Sequence, residues 1–96
     1  MKVRWSPRAL RDADEAAAYI AEDRPGAAER WLDGLFEAVQ RLERFPLSGR
    51  IVPLSGAKQC REVLYGSYRI IYRAGRQGVE IVTVMHVRRL LGPQHL

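Results

Sequence analysis

The sequence predicts a single α+β domain in which a helical hairpin packs on a small, mostly antiparallel sheet, in the order β-αα-βββ. Two observations predict it. The chain up to Arg44 contains two amphipathic stretches, each beginning at a proline and each with apolar residues at helical spacing. The chain from Tyr65 to Arg89, YGSYRIIYRAGRQGVEIVTVMHVRR, contains strand-forming runs separated by turns with glycine. Because 96 residues leave room for one hydrophobic core, residues 1–96 are expected to form one domain.

The first helix is predicted over Pro7–Glu22, after a short strand at Met1–Trp5. Ser6 is a favoured N-cap, and proline suits the first helical position because the helix needs no backbone N–H there. Apolar residues at spacings of three and four draw one stripe along this helix: Leu10, Ala13, Ala17 and Ile20. Most of the stripe is small, so a second helix can approach it closely.

The second helix is predicted over Pro25–Arg44, after a turn at Asp23–Gly26. Its stripe carries larger side chains: Ala28, Trp31, Leu35, Val39 and Leu42. Two helices joined by so short a link are expected to be antiparallel neighbours. Pro46 prevents the helix from continuing.

The segment Phe45–Gln59 is rich in proline, serine and glycine and is interpreted as a connection across the sheet edge. Ile51 and Val52 are expected to point inward from it. Cys60–Tyr65 is predicted to be a strand, and Gly66-Ser67 a two-residue hairpin link, for which glycine in the first position favours a type II′ turn.

Two further strands are predicted at Tyr68–Arg73 and Val79–Val87, with a looser loop at Ala74–Gly78 between them. Val79–Val87 is apolar on both of its sides, which predicts a position inside the sheet with both faces partly covered. Side chains alternate along a strand. One side of the preceding strand therefore carries Tyr68, Ile70 and Tyr72, and the other carries Arg69, Ile71 and Arg73.

Charge is distributed unevenly along the chain. Residues 1–44 carry eight Lys/Arg and nine Asp/Glu, and residues 45–96 carry eight and two, within a total of +5. The carboxy-terminal half therefore has a one-signed field that would attract acidic protein or nucleic acid. The single cysteine, Cys60, allows no internal disulfide, which fits a cytoplasmic protein. No apolar run is long enough to span a membrane, and no signal peptide is visible.

Several motifs together resemble the ParE/RelE superfamily of type II toxin–antitoxin toxins. They are Ser6-Pro7 with Ala9-Leu10 after a short strand, then Phe45-Pro46, Gly49-Arg50, the YRIIYR run at Tyr68–Arg73, and HVRR at His86–Arg89. The resemblance covers roughly residues 2–90. It implies that the chain is a cytoplasmic toxin that inhibits growth. Such a toxin is part of a toxin–antitoxin (plasmid stabilisation) system and is neutralised by a cognate antitoxin.

The superfamily contains two activities, and the resemblance favours the first. ParE-like members are associated with inhibition of DNA gyrase and have no recognisable catalytic set. RelE-like members are mRNA endonucleases that depend on the ribosome. For the ParE-like reading, the expected partner-binding residues are Arg69, Tyr72, Arg73, Arg88 and Arg89. For the alternative, the match to RelE-like sites gives Arg69 and Arg88 or Arg89, with His86 as a looser match.

Cleavage of RNA without a metal needs a base, an acid and cations for the phosphate charge. His86 could be the base or the acid because its reference pKa lies near neutrality, and Glu62 could complete the pair. A RelE-like site is also expected to have more lysines, where this chain offers Lys58, and an aromatic residue near its end, where it has Leu90, Leu91 and Leu96. No metal site is expected, since His86 and His95 lack ligand spacing, and no cofactor is implied.

Overall fold

The computed structural model describes residues 2–53, 59–89 and 91–96. Its elements follow the predicted order, with one additional strand. They are β1 Val3–Trp5, α1 Pro7–Asp23, α2 Pro25–Arg44, β2 Arg50–Ile51, β3 Arg61–Tyr65, β4 Tyr68–Gly75 and β5 Gly78–His86, followed by a 3₁₀ turn at Pro93–His95.

Both helices begin where the sequence predicts. The Ser6 hydroxyl accepts a hydrogen bond from the N–H of Ala9 at 3.0 Å, which satisfies one of the free donors at the start of α1. The buried face of α1 consists of alanines: Ala9, Ala13, Ala16 and Ala17. Leu10, which was predicted within the stripe, is 49% exposed because the buried face is rotated towards Ala9 and Ala16. In α2 the predicted stripe is buried at Ala28, Leu35, Val39 and Leu42.

The strands form one five-stranded sheet in the order β1-β5-β4-β3-β2. β1 runs parallel to β5, and all the other pairs are antiparallel, which confirms the predicted sheet type. The interior position of β5 is also confirmed. β2 was not predicted as a strand, and its Ile51 is exposed rather than turned inward, whereas Val52 is buried. The loop expected at Ala74–Gly78 is a continuation of both strands, which pair as far as Gly75 and Gly78.

Polar groups of α1 cover the part of β5 that β1 is too short to reach. β1 pairs only with Val79–Ile81. Beyond it, the Ser6 hydroxyl donates to the carbonyl of Val82 at 2.7 Å. The carboxylate of Asp12 accepts hydrogen bonds from the Thr83 hydroxyl and from the N–H of Val84, the latter at 3.1 Å. These contacts satisfy strand-edge groups that would otherwise be unpaired.

The sheet has a different environment on each face. The face towards the helices forms the main core. Ile70 and Tyr72 of β4 belong there to one buried cluster with Leu35 and Val39 of α2 and Ile81 of β5. The opposite face, which we call the helix-free face, has a smaller cluster. This cluster comprises Val52, Cys60, Ile71 and Met85, with Leu91 and Leu96 packed against it. The register of β4 against β5 shifts between Ile71 and Tyr72, which leaves one extra residue in β5.

Tyr65, at the end of β3, joins the sheet to α2. Its hydroxyl donates a hydrogen bond to the carbonyl of Trp31 at 2.8 Å, and the two rings lie 5.9 Å apart. The ring passes over Gly34 so closely that a Cβ atom there would overlap the Tyr65 hydroxyl and lie 2.9 Å from Cζ. Gly34 therefore provides the space in which the helical hairpin docks on this end of the sheet.

We expect Gly34→Ala to destabilise the protein even though alanine is the better helix former. The new methyl group must displace a ring that is held at its far end, and such overpacking costs about 1–3 kcal/mol. Gly26→Ala, in the same helix, is the matched control because its Cβ would meet only Arg30 Nη1 at 3.5 Å. Urea denaturation should show the loss for Gly34→Ala and no loss for Gly26→Ala. Equal stability of the two variants would contradict the docking role.

Candidate functional site

Arg69 lies in the middle of β4 on the helix-free face, with its side chain only 17% exposed. Its guanidinium makes three contacts, each at 3.4 Å: with Oε2 of Glu62, with Sδ of Met85 and with the carbonyl of Arg89. Its Nε is buried and has no hydrogen-bond partner. Arg69 is therefore held in place by long contacts, well beyond the 2.7–2.9 Å typical of charge-assisted hydrogen bonds.

Arg69 lines a cavity of about 360 Å³ on the helix-free face, which we call the arginine cavity. Two other arginines, Arg50 and Arg89, line it as well. Its remaining described lining is apolar and comprises Val52, Pro53, Val87 and Leu91. Three cationic side chains from β2, β4 and the segment after β5 thus converge at one place.

One buried carboxylate lies beside these cations. Glu62 of β3 is 4% exposed, and its Oε1 accepts from Nε of Arg50 at 2.7 Å and lies 2.6 Å from Nη2 of the same residue. Its Oε2 faces Arg69 at 3.4 Å without forming a hydrogen bond. The Glu62 carboxylate is committed mainly to Arg50, so the positive charge around the cavity exceeds the negative charge.

The other arginine of β4 is differently placed. Arg73 donates to Oε1 of Glu80 at 2.7 Å, which forms an ion pair across this hairpin. Glu80 pairs in register with Arg73 on one side and with Arg4 of β1 on the other. These residues line a second cavity, of about 370 Å³, at the far end of the sheet. Arg73 therefore has a strong local partner that Arg69 lacks.

His86 does not share a site with Arg69. Its ring stacks edge-on against Tyr68, with centroids 5.3 Å apart, and its Nδ1 accepts a hydrogen bond from the N–H of Arg88 at 3.2 Å. Tyr68 packs against the main core and lies 5.0 Å from the ring of Trp31. His86 therefore belongs to the helix side of the sheet, in a cavity of about 380 Å³ between α1 and β5.

The predicted site residues are thus only partly brought together. Arg69 and Arg89 share the arginine cavity, and Arg89 also lines the cavity that contains His86. Arg88 is exposed on the turn after β5 and lines neither cavity. Lys58 and Leu90 lie outside the described residues.

Tyr72 is a core residue, so the direct partner contact predicted for it requires a correction. Its side chain has no exposed surface, and its hydroxyl accepts a hydrogen bond from the N–H of Gly49 at 2.8 Å. The alternation of β4 places Tyr72 beneath the helices and turns only Arg69 and Arg73 towards the free face. Tyr72 can influence a partner only by supporting the segment that leads into β2.

The other tyrosines of the hairpin also pack on the helix side. Burial raises the pKa of Tyr65, and the carboxylates of Glu37 and Asp33 raise it further. Burial likewise raises the pKa of Tyr68, with a smaller contribution from Tyr19. Both hydroxyls therefore stay protonated at neutral pH, and neither ring lines the arginine cavity.

Sequence reasoning missed Arg50 as a site residue and gave Glu62 a chemical role in place of a structural one. The two are in register across β2 and β3, a pairing that no local motif announces. The Gly49-Arg50 motif was the only available signal. Within the described parts of the chain, no group of three or more His, Cys, Asp or Glu side chains could hold a metal ion. Neither described helix has both the length and the apolar character of a membrane span.

The fold is similar to that of a solved structure titled "Chromosomal ParDE TA system from P. aeruginosa". The TM-score is 0.77 at 17% sequence identity, over 90% of this chain and 95% of the other, so this likeness concerns the fold alone. The helical hairpin between a first strand and the remaining strands of a mixed, mostly antiparallel sheet is the α+β architecture that the sequence predicted, with β2 added to it.

The sequence comparisons identify the family. The model of the family described as "ParE toxin of type II toxin-antitoxin system, parDE" matches residues 3–91. A protein of Sinorhizobium fredii (strain NBRC 101917 / NGR234) named "Putative toxin Y4kP" is 42% identical over 90 residues, which are 92% of this chain and 90% of that protein. The chain belongs to the ParE toxin family of type II toxin–antitoxin systems.

We expect the two acids of the helix-free face to differ in their contribution to stability. Glu62→Gln removes a buried charge shared by Arg50 and Arg69, and breaking such a group costs about 3–5 kcal/mol where burial is complete, so about 2–3 kcal/mol is expected beside the exposed Arg50. Glu80 is 31% exposed, so Glu80→Gln should cost no more than about 1 kcal/mol.

Chemical denaturation at low and high salt checks this expectation. The loss in Glu80→Gln should shrink as salt screens its ion pair, and the loss in Glu62→Gln should persist because its carboxylate is buried. Equal losses with equal salt dependence would show that burial of Glu62 does not matter.

Proposed function

We propose that this chain inhibits DNA gyrase by binding it and that a cognate antitoxin neutralises it. Membership of the ParE family makes the chain a toxin of this class. Gyrase is the target that the resemblance to ParE implies, and the cytoplasm is where the two would meet. The solved relative is titled as a ParDE system, which supports an antitoxin partner for this chain as well.

The observation that carries the proposal is the separation of Arg69 from His86. A metal-independent nuclease needs its proton-transfer groups and its phosphate-binding cations around one scissile bond. Here Arg69 lies on the helix-free face, while His86 stacks on Tyr68 on the helix side. The arginine cavity has no histidine in its described lining, and the nearby Glu62 is engaged with Arg50. This arrangement favours binding over RNA cleavage.

Antitoxin binding is supported by the charge of the helix-free face. Arg4, Arg50, Arg69 and Arg73 belong to its strands, and Glu62 and Glu80 are the acids paired with them. An acidic, flexible segment that orders on binding would neutralise the remaining charge. We therefore place the antitoxin contact at this face, through Arg69 or Arg73.

Tightly controlled expression should separate gyrase inhibition from mRNA cleavage. We expect DNA breakage and lost supercoiling with intact messages, and inhibition of purified gyrase by the purified chain. His86→Gln sharpens the test, because general acid–base catalysis contributes about 10²–10⁴-fold and a nuclease using His86 would lose that factor. A gyrase inhibitor should keep its potency in this variant. Codon-periodic cuts in translated mRNA would contradict the proposal, as would normal growth with active gyrase.

The antitoxin contact can be tested by site-specific photocrosslinking. The partner to co-express is the small protein with an acidic tail that we expect in the adjacent reading frame. A photoreactive residue at Leu64, beside Arg69 in register, should crosslink to it. The same group at Ala18, on the exposed outer surface of α1, is the control and should not. Crosslinking from Ala18 alone would place the partner elsewhere and refute the contact.

A further inference from the structure

Arg69 differs from its neighbours in how well its charge is paired. Arg50 and Arg73 reach their carboxylates at 2.6 Å and 2.7 Å. Arg69 has only contacts at 3.4 Å and a buried Nε without a partner. A guanidinium can donate two parallel hydrogen bonds to one carboxylate, and Arg69 uses neither edge of its fork in this way. Its side chain is ordered by burial, and its two terminal nitrogens, Nη1 and Nη2, make only these long contacts.

Burying most of the Arg69 guanidinium without a short hydrogen bond to an acid costs free energy of desolvation, which nearby negative charge must offset. Glu62 provides some, but its Oε2 also lacks a hydrogen bond. Arg69 and Glu62 attract one another at a distance where neither satisfies the other. An additional oxyanion entering the arginine cavity could accept shorter hydrogen bonds from Nη1 and Nη2 of Arg69 in place of the contacts at 3.4 Å, and would be attracted by Arg50 and Arg89.

The walls of the cavity indicate what kind of molecule carries this oxyanion. Val52, Pro53, Val87 and Leu91 line it, and Leu64, which is 68% exposed, lies in register beside Arg69. The described lining contains no aromatic ring on which a nucleotide base could stack. Apolar walls around a cationic centre match a peptide that alternates apolar and acidic side chains.

We propose that the arginine cavity binds a carboxylate from an acidic and apolar peptide segment, with Arg69 as its bidentate anchor. This inference rests on the proposed antitoxin, which would supply such a segment. It adds that the arginine cavity is the binding site and that a carboxylate is the group bound there. Arg73 takes no comparable part, because its Nη2 already donates to Glu80 at 2.7 Å and it does not line this cavity.

Fluorescence anisotropy with defined probes tests the proposal. The first probe is a labelled nonapeptide of alternating leucine and glutamate, the second is its glutamine counterpart, and the third is a labelled single-stranded oligouridine. The glutamate peptide should bind more tightly than the glutamine peptide. Arg69→Gln should weaken its binding by about tenfold or more, which is the contribution of a charged hydrogen bond.

Two variants act as controls. Arg69→Lys keeps the charge but not the fork, so it should also weaken binding and should do so in a folded protein. Arg73→Gln removes the same charge from the same strand and should change the affinity by less than about twofold. Circular dichroism of each variant confirms that the fold is retained.

The affinities of the probes and of the variants decide between the possible ligands of the cavity. Equal affinity for the glutamate and glutamine peptides would overturn the proposal, and so would equal losses in the Arg69 and Arg73 variants. Oligouridine that binds more tightly than the peptide and displaces it would assign the cavity to nucleic acid. Gyrase inhibition by the same preparation is measured separately, so a cavity that ignores the peptide in a working inhibitor defeats only this inference.

Discussion

Side chains of β4 point alternately to the two faces of the sheet, so Ile70 and Tyr72 reach the helices while Arg69 and Arg73 reach the opposite face. Both the main core and the positive charge of the helix-free face depend on this register. A slip of one residue would drive two guanidiniums into the main core and expose a tyrosine and an isoleucine. Because the helices cover one face, the two arginines of β4, Arg69 and Arg73, lie on the other.

The arginines of that face differ in how closely each is paired with a carboxylate. Register places Glu80 between Arg4 and Arg73, and Glu62 beside Arg50. Arg69 stands opposite Leu64 on one side and Met85 on the other, so neither neighbouring strand offers it an acid directly across. Its nearest carboxylate belongs to Glu62, which is paired with Ile71, two residues further along β4. The weak pairing of Arg69 is therefore a consequence of strand register.

Local signals in the sequence were sufficient to predict both helices and the strands other than β2, but not to predict the site. Ser6 and Pro7 fix the start of α1, and Gly66, with φ 56°, has the positive angle that the first position of a type II′ turn needs. Such signals act over a few residues. β2, in contrast, is two residues long and exists because it pairs with β3, which brings Arg50 to Glu62. The separation of His86 from Arg69 likewise follows from the alternation of two paired strands.

A weakly paired cation that the fold holds in place also affects the stability of the protein. Like charges on one face repel each other in the free protein, and each lowers the free energy of unfolding. A partner that brings carboxylates to Arg69 removes part of this repulsion and binds only the folded state, so it stabilises the fold by mass action. The electrostatic repulsion that lowers the stability of the free protein would therefore favour binding of an acidic partner. If the antitoxin binds at this face, as we propose, the toxin would be most stable in the complex, because the same contact would neutralise it and pair the cations of the sheet face.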